Sequence, residues 1–163
     1  MRATCTSRFA GIAVTAVFAA AMGLAAAAQA PDPLIGTWKL DAAKSSFKPG
    51  PAPKNLAVVI ETAGKGIKVA VDGVGGDGTP VKFGYTSMRD GKDVPVTGNP
   101  NFDAAAVTLT NSHEGTILYK RSGKTAITAK TSVSKDGKIL TVTYDGTDAK
   151  GQALHNVYHY VKQ

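Results

Sequence analysis

Residues 67–86 read IKVAVDGVGGDGTPVKFGYT, and this stretch decides the fold. In residues 67–72 apolar side chains occupy every second position, and residues 81–86 repeat that alternation. Alternation with period two is typical of half-buried antiparallel strands. Between the two runs, Asp72-Gly73 and Asp77-Gly78 favour the positive-φ turns that join hairpin strands. The stretch therefore predicts a β-hairpin.

Similar runs, rich in valine, threonine and tyrosine, recur to the C-terminus. They predict strands near 35–40, 56–63, 67–74, 81–88, 105–112, 116–122, 125–134, 138–146 and 153–162, with a short one near 93–97. Such a meander closes as a sandwich or a barrel, and an up-and-down barrel leaves no exposed edge. We therefore expect an all-β fold, an antiparallel up-and-down β-barrel of about 8–10 strands.

Helical periodicity is weak throughout the chain. The best helical candidate is a single turn from Asp41 to Phe47, which the Asp41 side chain would cap. The prolines of segment 49–53 predict a stiff, exposed connection after it, because proline lacks the N–H that a strand interior needs.

The segment 1–28 predicts a secretory signal peptide. Arg2 and Arg8 precede a charge-free, alanine-rich run that ends in small residues, which is the pattern of such peptides. An uncleaved membrane anchor is the alternative, because about 20 apolar residues span a bilayer. Alanine is only weakly hydrophobic, and the small-residue end suits the peptidase, so the signal peptide is favoured.

Cleavage is expected between Ala28 and Gln29, because cleavage after Ala30 would leave a proline at the new N-terminus. The segment that remains, 29–163, contains no cysteine, which suits a periplasmic or secreted protein held together without disulfides. We expect one domain after the peptide, with the first strand and Pro-rich connection in 29–55 and the remaining meander in 56–163.

The charge of the chain does not predict a nucleic-acid partner. The formal charge of 19 − 12 = +7 falls to +5 once Arg2 and Arg8 are removed. The lysines are dispersed along the strands, and none forms a basic run of about five residues that would indicate nucleic-acid contact. Outward lysines on strands also discourage edge-to-edge aggregation.

No set of residues predicts catalysis, a metal site or a cofactor. His155 and His159, placed on one strand, would be about 13 Å apart at roughly 3.3 Å per residue, too far to share a metal. His113 and Glu114 fall in a predicted turn between strands, as a plain polar pair. The glycine-rich segment 73–78 precedes a strand and lacks the lysine of a phosphate loop, so it predicts a turn. We therefore expect no enzyme activity.

The first strand contains Gly36-Thr37-Trp38, and a Gly-x-Trp at the head of a β-meander resembles the lipocalins and fatty-acid-binding proteins. The resemblance implies that Trp38 packs across a closed end of the barrel, near an arginine from the last strand. Here Lys162 is the only lysine or arginine in that strand, so either Lys162 substitutes or the plug is built differently. We treat Gly36 and Trp38 as structural residues.

Other segments resemble small exported bacterial proteins of unassigned function. These segments are 41–47, 49–54, 134–138 and 160–163. Together with the strand pattern, they extend the resemblance over nearly the whole chain after the signal peptide.

Four residues are the predicted ligand contacts: Phe83, Tyr85, Tyr119 and Arg121. Tyr119 and Arg121 share one strand face, which would place Arg121 at the end of the barrel interior. The resemblance to fatty-acid-binding barrels implies a cation that holds a carboxylate, so a small hydrophobic or anionic amphipathic ligand is expected. The alternative is that Arg121 already belongs to the next hairpin turn and is solvated.

The inward positions leave the interior either open or packed. Several of the residues assigned inward are small, namely Ala129, Thr131, Thr141 and Thr143. An open interior predicts a binding protein, whereas a packed one predicts an envelope interaction or stress-related module that acts through its loops.

The chain also contains an internal repeat, in which Asp72-Gly73 matches Asp145-Gly146 and Tyr85 matches Tyr158. The repeat predicts either two equivalent loops at one rim or two hairpins that share turn chemistry.

Overall fold

The computed structural model describes residues 31–148 and 150–163. Most of these residues lie in strands, as the period-two alternation predicts. The expected signal peptide and its cleavage site lie outside these residues. The described strands are β1 (Gly36–Leu40), β2 (Ser46–Lys48), β3 (Asn55–Ala63), β4 (Gly66–Val74), β5 (Pro80–Ser87), β6 (Asp90–Pro95), β7 (Ala104–Leu109), β8 (Glu114–Arg121), β9 (Lys124–Val133), β10 (Ile139–Thr147) and β11 (Ala153–Lys162).

The strands form one antiparallel sheet in the order β5-β4-β3-β1-β11-β10-β9-β8-β7-β6. Strand β1 joins the two halves of the meander, since Trp38 lies opposite Val58 on β3 and opposite Lys162 on β11. The prediction of an all-β, up-and-down barrel is confirmed. Ten strands follow the continuous order, and the short β2 is an addition that pairs with β11.

The barrel is nearly closed, because β5 and the chain directly after β6 meet at one point. The backbones of Gly84 and Thr97 exchange two hydrogen bonds, each with an N–O distance of 3.0 Å. Within the described residues no continuous ladder joins β5 to β6. The sheet therefore closes by one bridge and side-chain packing.

A single 3₁₀ turn, Ala42–Lys44, separates β1 from β2, and the Asp41 side chain caps it. The backbone N–H of Asp41 donates to the carbonyl oxygen of His159 (2.8 Å), and the hydroxyl of Ser45 accepts from the N–H of His159 (2.9 Å). The backbone groups of β11 thus keep their partners where strand pairing is interrupted. The turn is shorter than predicted, because Phe47 already lies in β2.

Strands β1 and β2 follow one another in the same direction along β11. All other successive strands run in opposite directions, so the connections between them gather at two ends. We call one end the plugged end; its segments are 31–35, 64–65, 88–89, 110–113 and 134–138. We call the other end the mouth; its segments are 49–54, 75–79, 96–103 and 122–123, together with the described residues of 148–152, namely 148 and 150–152.

The internal repeat corresponds to two loops of the mouth, 75–79 and 148–152. In each loop the first N–H donates to the carbonyl oxygen of the fifth residue, at 2.8 and 3.0 Å. The fourth N–H donates to the carbonyl oxygen of the first residue, at 3.1 Å in both. The two loops therefore share one backbone hydrogen-bond pattern at one rim of the barrel.

Candidate functional site

The barrel encloses a cavity of about 490 Å³. Alternation along the strands builds its wall: on β4, Ile67, Val69 and Val71 are buried and line the cavity, whereas Lys68 and Asp72 are exposed. Residues of the mouth line it as well, including the three prolines of segment 49–53. An apolar cavity of this size is within the range of small-molecule pockets. The interior is therefore open enough to hold a ligand.

The inward face of β10 differs from the prediction. Leu140 and Val142 are buried and line the cavity, so Thr141 and Thr143 lie on the outer face and their inward assignment was wrong. The larger apolar side chains occupy the interior because their burial is more favourable than that of threonine. On β9 the assignment holds, since Ala129 is fully buried and Thr131 lines the cavity.

Every phenylalanine and tyrosine after residue 30 lines this cavity. These residues are Phe47, Phe83, Tyr85, Phe102, Tyr119, Tyr144, Tyr158 and Tyr160. The centroids of rings that contact each other are 4.4–6.3 Å apart. These distances are in the range of stacked and edge-to-face aromatic pairs. The rings thus form one continuous aromatic wall, which suits an apolar ligand that contains rings or an aliphatic chain.

Burial keeps the tyrosine hydroxyls of this wall neutral. Desolvation raises the pKa of Tyr85 to about 12, although the Tyr119 hydroxyl partly opposes the shift. Desolvation also raises the pKa values of Tyr119, Tyr144, Tyr158 and Tyr160 above the ordinary tyrosine value. The wall therefore presents hydroxyl groups that donate and accept hydrogen bonds over the whole physiological pH range.

We expect the five tyrosines to ionise together with unfolding rather than near their ordinary pKa. Their pKa values are raised in the folded state, so the unfolded chain loses these protons first as pH rises. This contribution to stability is complete below about pH 10 and is lost as pH rises toward 12, the folded pKa of Tyr85. Tyrosinate absorbance and circular dichroism should change in one coincident step. Ionisation of all five near pH 10 with the fold intact would contradict the prediction.

Arg121, the last residue of β8, links two connections of the mouth. Its Nε donates to the carbonyl oxygen of Asn101 (2.6 Å), and its Nη1 donates to that of Asp148 (3.3 Å). Its Nη2 is buried and has no hydrogen-bond partner among the described residues. Arg121 is half-buried and lines the cavity, so it contacts the interior rather than extending into solvent.

Trp38 plugs the opposite end. It is fully buried, and its Nε1 donates to the carbonyl oxygen of Leu34 (2.9 Å). The Nζ of Lys162 lies 5.0 Å from the centre of the Trp38 ring and donates to the carbonyl oxygen of Pro33 (3.0 Å). A Cβ at Gly36 would come within 2.6 Å of the Lys162 side chain. Lys162 therefore takes the place of the arginine that the resemblance implied, and Gly36 leaves room for it.

The structure brings all four predicted contacts, Phe83, Tyr85, Tyr119 and Arg121, onto the cavity wall. Their role in binding a ligand stays a prediction. Phe102 was missed because it lies in a connection, where period two gives no signal. The sequence predicts segment 49–53 only as a connection, and all three of its prolines also line the cavity. The alternation of β10 and β11 was the signal that would have identified Tyr144 and Tyr158.

The histidines and acidic residues lie on the outer surface or in turns. His155 pairs with Asp145 on the neighbouring strand, with an Nδ1–Oδ1 distance of 2.5 Å, and the Nδ1 of His159 lies 3.2 Å from the hydroxyl of Thr141. Residues 31–148 and 150–163 bring no three His, Cys, Asp or Glu side chains together as a metal site. Across the same residues, no helix has the length and apolar character to cross a membrane.

The fold and its cavity define the class: the chain is a lipocalin-like β-barrel. Among solved structures it is similar to zebrafish ileal bile acid-binding protein in complex with cholic acid. The two chains are 15% identical, with a TM-score of 0.50, over 80% of this chain and 99% of the zebrafish protein. At this identity the likeness shows a shared fold. No protein-family model matches the sequence, and no curated protein matches it.

Proposed function

We propose that this chain is an exported, non-enzymatic protein that binds a small apolar or amphipathic molecule inside its barrel. The observation that carries the proposal is the cavity of about 490 Å³ with its aromatic wall. A cavity of a few hundred Å³ is large enough for one drug-sized ligand. The similar zebrafish barrel is a bile acid-binding protein that was solved with cholic acid, which supports a small amphipathic ligand for this chain.

The second candidate is an envelope interaction or stress-related module with a packed core. The paired loops 75–79 and 148–152, which share one geometry at the mouth, would be its contact surface. The cavity favours the binding protein over this module, because a packed core would leave no such volume.

Native mass spectrometry tests the proposal directly. The complete chain would be expressed in a Gram-negative host and purified gently from the periplasmic fraction. We expect a reproducible added mass that disappears on denaturation. Repeated spectra of folded protein with no added mass, together with no binding of added fatty acids or bile acids, would favour the packed module.

Filling the cavity should weaken binding without unfolding the barrel. Val142 faces the cavity, and its neighbour Thr143 lies on the outer face of the same strand. We expect Val142→Phe to weaken binding of a fluorescent fatty acid at least tenfold, which corresponds to about 1.4 kcal/mol. Thr143→Phe adds the same side chain outside and should leave binding unchanged. Equal affinities of the two folded variants would place the ligand elsewhere.

Export is the further part of the proposal, and it rests on the basic start and alanine-rich run of the segment 1–28. We expect the periplasmic protein to begin at Gln29 and to have the mass of the segment 29–163. Intact mass and N-terminal sequencing check this. Replacing Ala26 and Ala28 together by leucine should block cleavage, because the peptidase needs small residues at these positions. An uncut chain in the membrane fraction of the unchanged protein would instead support an anchor.

A further inference from the structure

We infer that the cavity selects an amphiphile with a single carboxylate and holds it with the carboxylate at the mouth, on the Nη2 of Arg121, and with its apolar part toward Trp38. This inference rests on the proposed function and adds the charge and the orientation of the ligand.

The first support is the unsatisfied state of Arg121. Two of its nitrogens donate to the neutral carbonyl oxygens of Asn101 and Asp148, and Nη2 is buried with no hydrogen-bond partner among residues 31–148 and 150–163. Within the described residues no carboxylate forms an ion pair with this guanidinium. A buried hydrogen-bond donor without an acceptor is unfavourable, and more so when it belongs to a charged group. A ligand carboxylate at Nη2 would supply both the acceptor and the opposite charge, in a short charge-assisted hydrogen bond.

The second support is that two cations of the plugged end, Arg89 and Lys162, already have partners. Arg89 lines the cavity there, but its guanidinium forms an ion pair with Asp32. Lys162 lies over the Trp38 ring and donates to a carbonyl oxygen of the N-terminal segment. An anionic group of the ligand therefore has a more favourable interaction with Arg121 at the mouth than with Arg89 or Lys162 at the plugged end. The apolar part of the ligand then lies among the buried aliphatic side chains of β3 and β4, including Val58 and Ile67.

The third support concerns the charge of the head group. Asp77 and Asp148 also line the cavity at the mouth, and backbone N–H groups of their own loops bond to both carboxylates. These hydrogen bonds, chiefly from Thr79, lower the pKa of Asp77, so it stays ionised. Carboxylates that line the mouth repel a doubly charged phosphate more than a single carboxylate. The mouth therefore favours a monoanion.

The first experiment compares one probe with and without its charge. Dansyl-undecanoic acid and its methyl ester differ only at the carboxylate. We expect the complete, folded protein to bind the acid at least tenfold more tightly than the ester. Equal affinities would overturn the inference and leave the proposed function standing. Failure of the protein to bind either probe would overturn both.

Variants test whether the preference for the acid over the ester depends on Arg121. Arg121→Met should bind acid and ester equally, with the ester affinity of the unchanged protein, which also shows that the cavity is intact. Lys124→Met removes an exposed cation from the same rim and should keep the preference for the acid. Arg121→Lys retains the charge with a different reach and should keep part of that preference. A folded Arg121→Met or, if that variant does not fold, an Arg121→Lys protein with the full preference would overturn the inference.

The orientation has its own readout, because Trp38 is the only tryptophan in the sequence and lies at the plugged end. Energy transfer from Trp38 should be strong to dansyl at the tail of a fatty acid and weak to dansyl next to its carboxylate. Trp38→Phe should abolish transfer to both probes. Stronger transfer to the dansyl next to the carboxylate would mean that the head group lies deep in the barrel, and would overturn the proposed orientation.

Discussion

Trp38→Ala should lower the free energy of unfolding by about 3–5 kcal/mol, the range for truncating a large aromatic core residue. Trp38 is fully buried and closes the plugged end. Its removal leaves a cavity, frees the carbonyl oxygen of Leu34 from its hydrogen bond and takes the ring away from the Lys162 ammonium. Urea unfolding followed by circular dichroism measures the loss.

Trp38→Phe is the matched variant, since it keeps an aromatic ring but removes the indole N–H. We expect it to cost about 1–2 kcal/mol, because one buried hydrogen bond is lost and some volume is left unfilled. Lys162→Met removes the ammonium group and leaves the Trp38 ring in place. It should lower the free energy of unfolding by less than either tryptophan variant. A Trp38→Ala protein as stable as the unchanged chain would show that the plug is not required for the fold.

Gly146→Ala should destabilise the barrel by about 3 kcal/mol or more, the upper range for forcing an atom into a packed site. A Cβ at Gly146 would lie 2.1 Å from the carbonyl oxygen of Ala126. That oxygen belongs to the backbone, so relief requires the two strands to separate and not merely a side chain to rotate. Thermal unfolding of the purified variant measures the effect.

Gly151→Ala is the control in the same region of the chain. Gly151 has φ of +78°, but no atom of the described part of the chain lies within 4 Å of a Cβ added there. We expect only the backbone penalty of about 1–2 kcal/mol. Gly73, at the position equivalent to Gly146 in the internal repeat, would place a Cβ 2.3 Å from the carbonyl oxygen of Asn55. Gly73→Ala should therefore destabilise the barrel about as much as Gly146→Ala. If neither substitution lowered the stability, the close approach of the strands at these glycines would be disproved.

Much of the fold could be predicted because its signals are local. Alternation in residues 67–72 depends only on which side chains prefer water, and Asp-Gly dipeptides favour turns without help from distant residues. These signals predicted ten of the described strands, most ends within two or three residues, and the antiparallel barrel. The short β2 was missed because its three residues, Ser46–Lys48, are too few to show a period.

The candidate site was predicted only in part, because a cavity wall is assembled from residues far apart in sequence. Phe83, Tyr85 and Tyr119 follow strand alternation, and the structure places them on that wall. Phe102 reaches it from a connection, and its ring lies 4.4 Å from that of Tyr119, centre to centre. No local pattern encodes that contact.

The sequence by itself determined that this chain forms strands, that it turns at Asp-Gly dipeptides and that it closes as a barrel. These features depend on side-chain polarity and local backbone preference. Only the tertiary structure decided that the interior is open and that Lys162 covers Trp38. It also decided that Arg121 donates to two neutral acceptors and that its Nη2 has no hydrogen-bond partner within the described residues. These features depend on volumes and distances between residues as far apart as Trp38 and Lys162, which are fixed only when the strands pair.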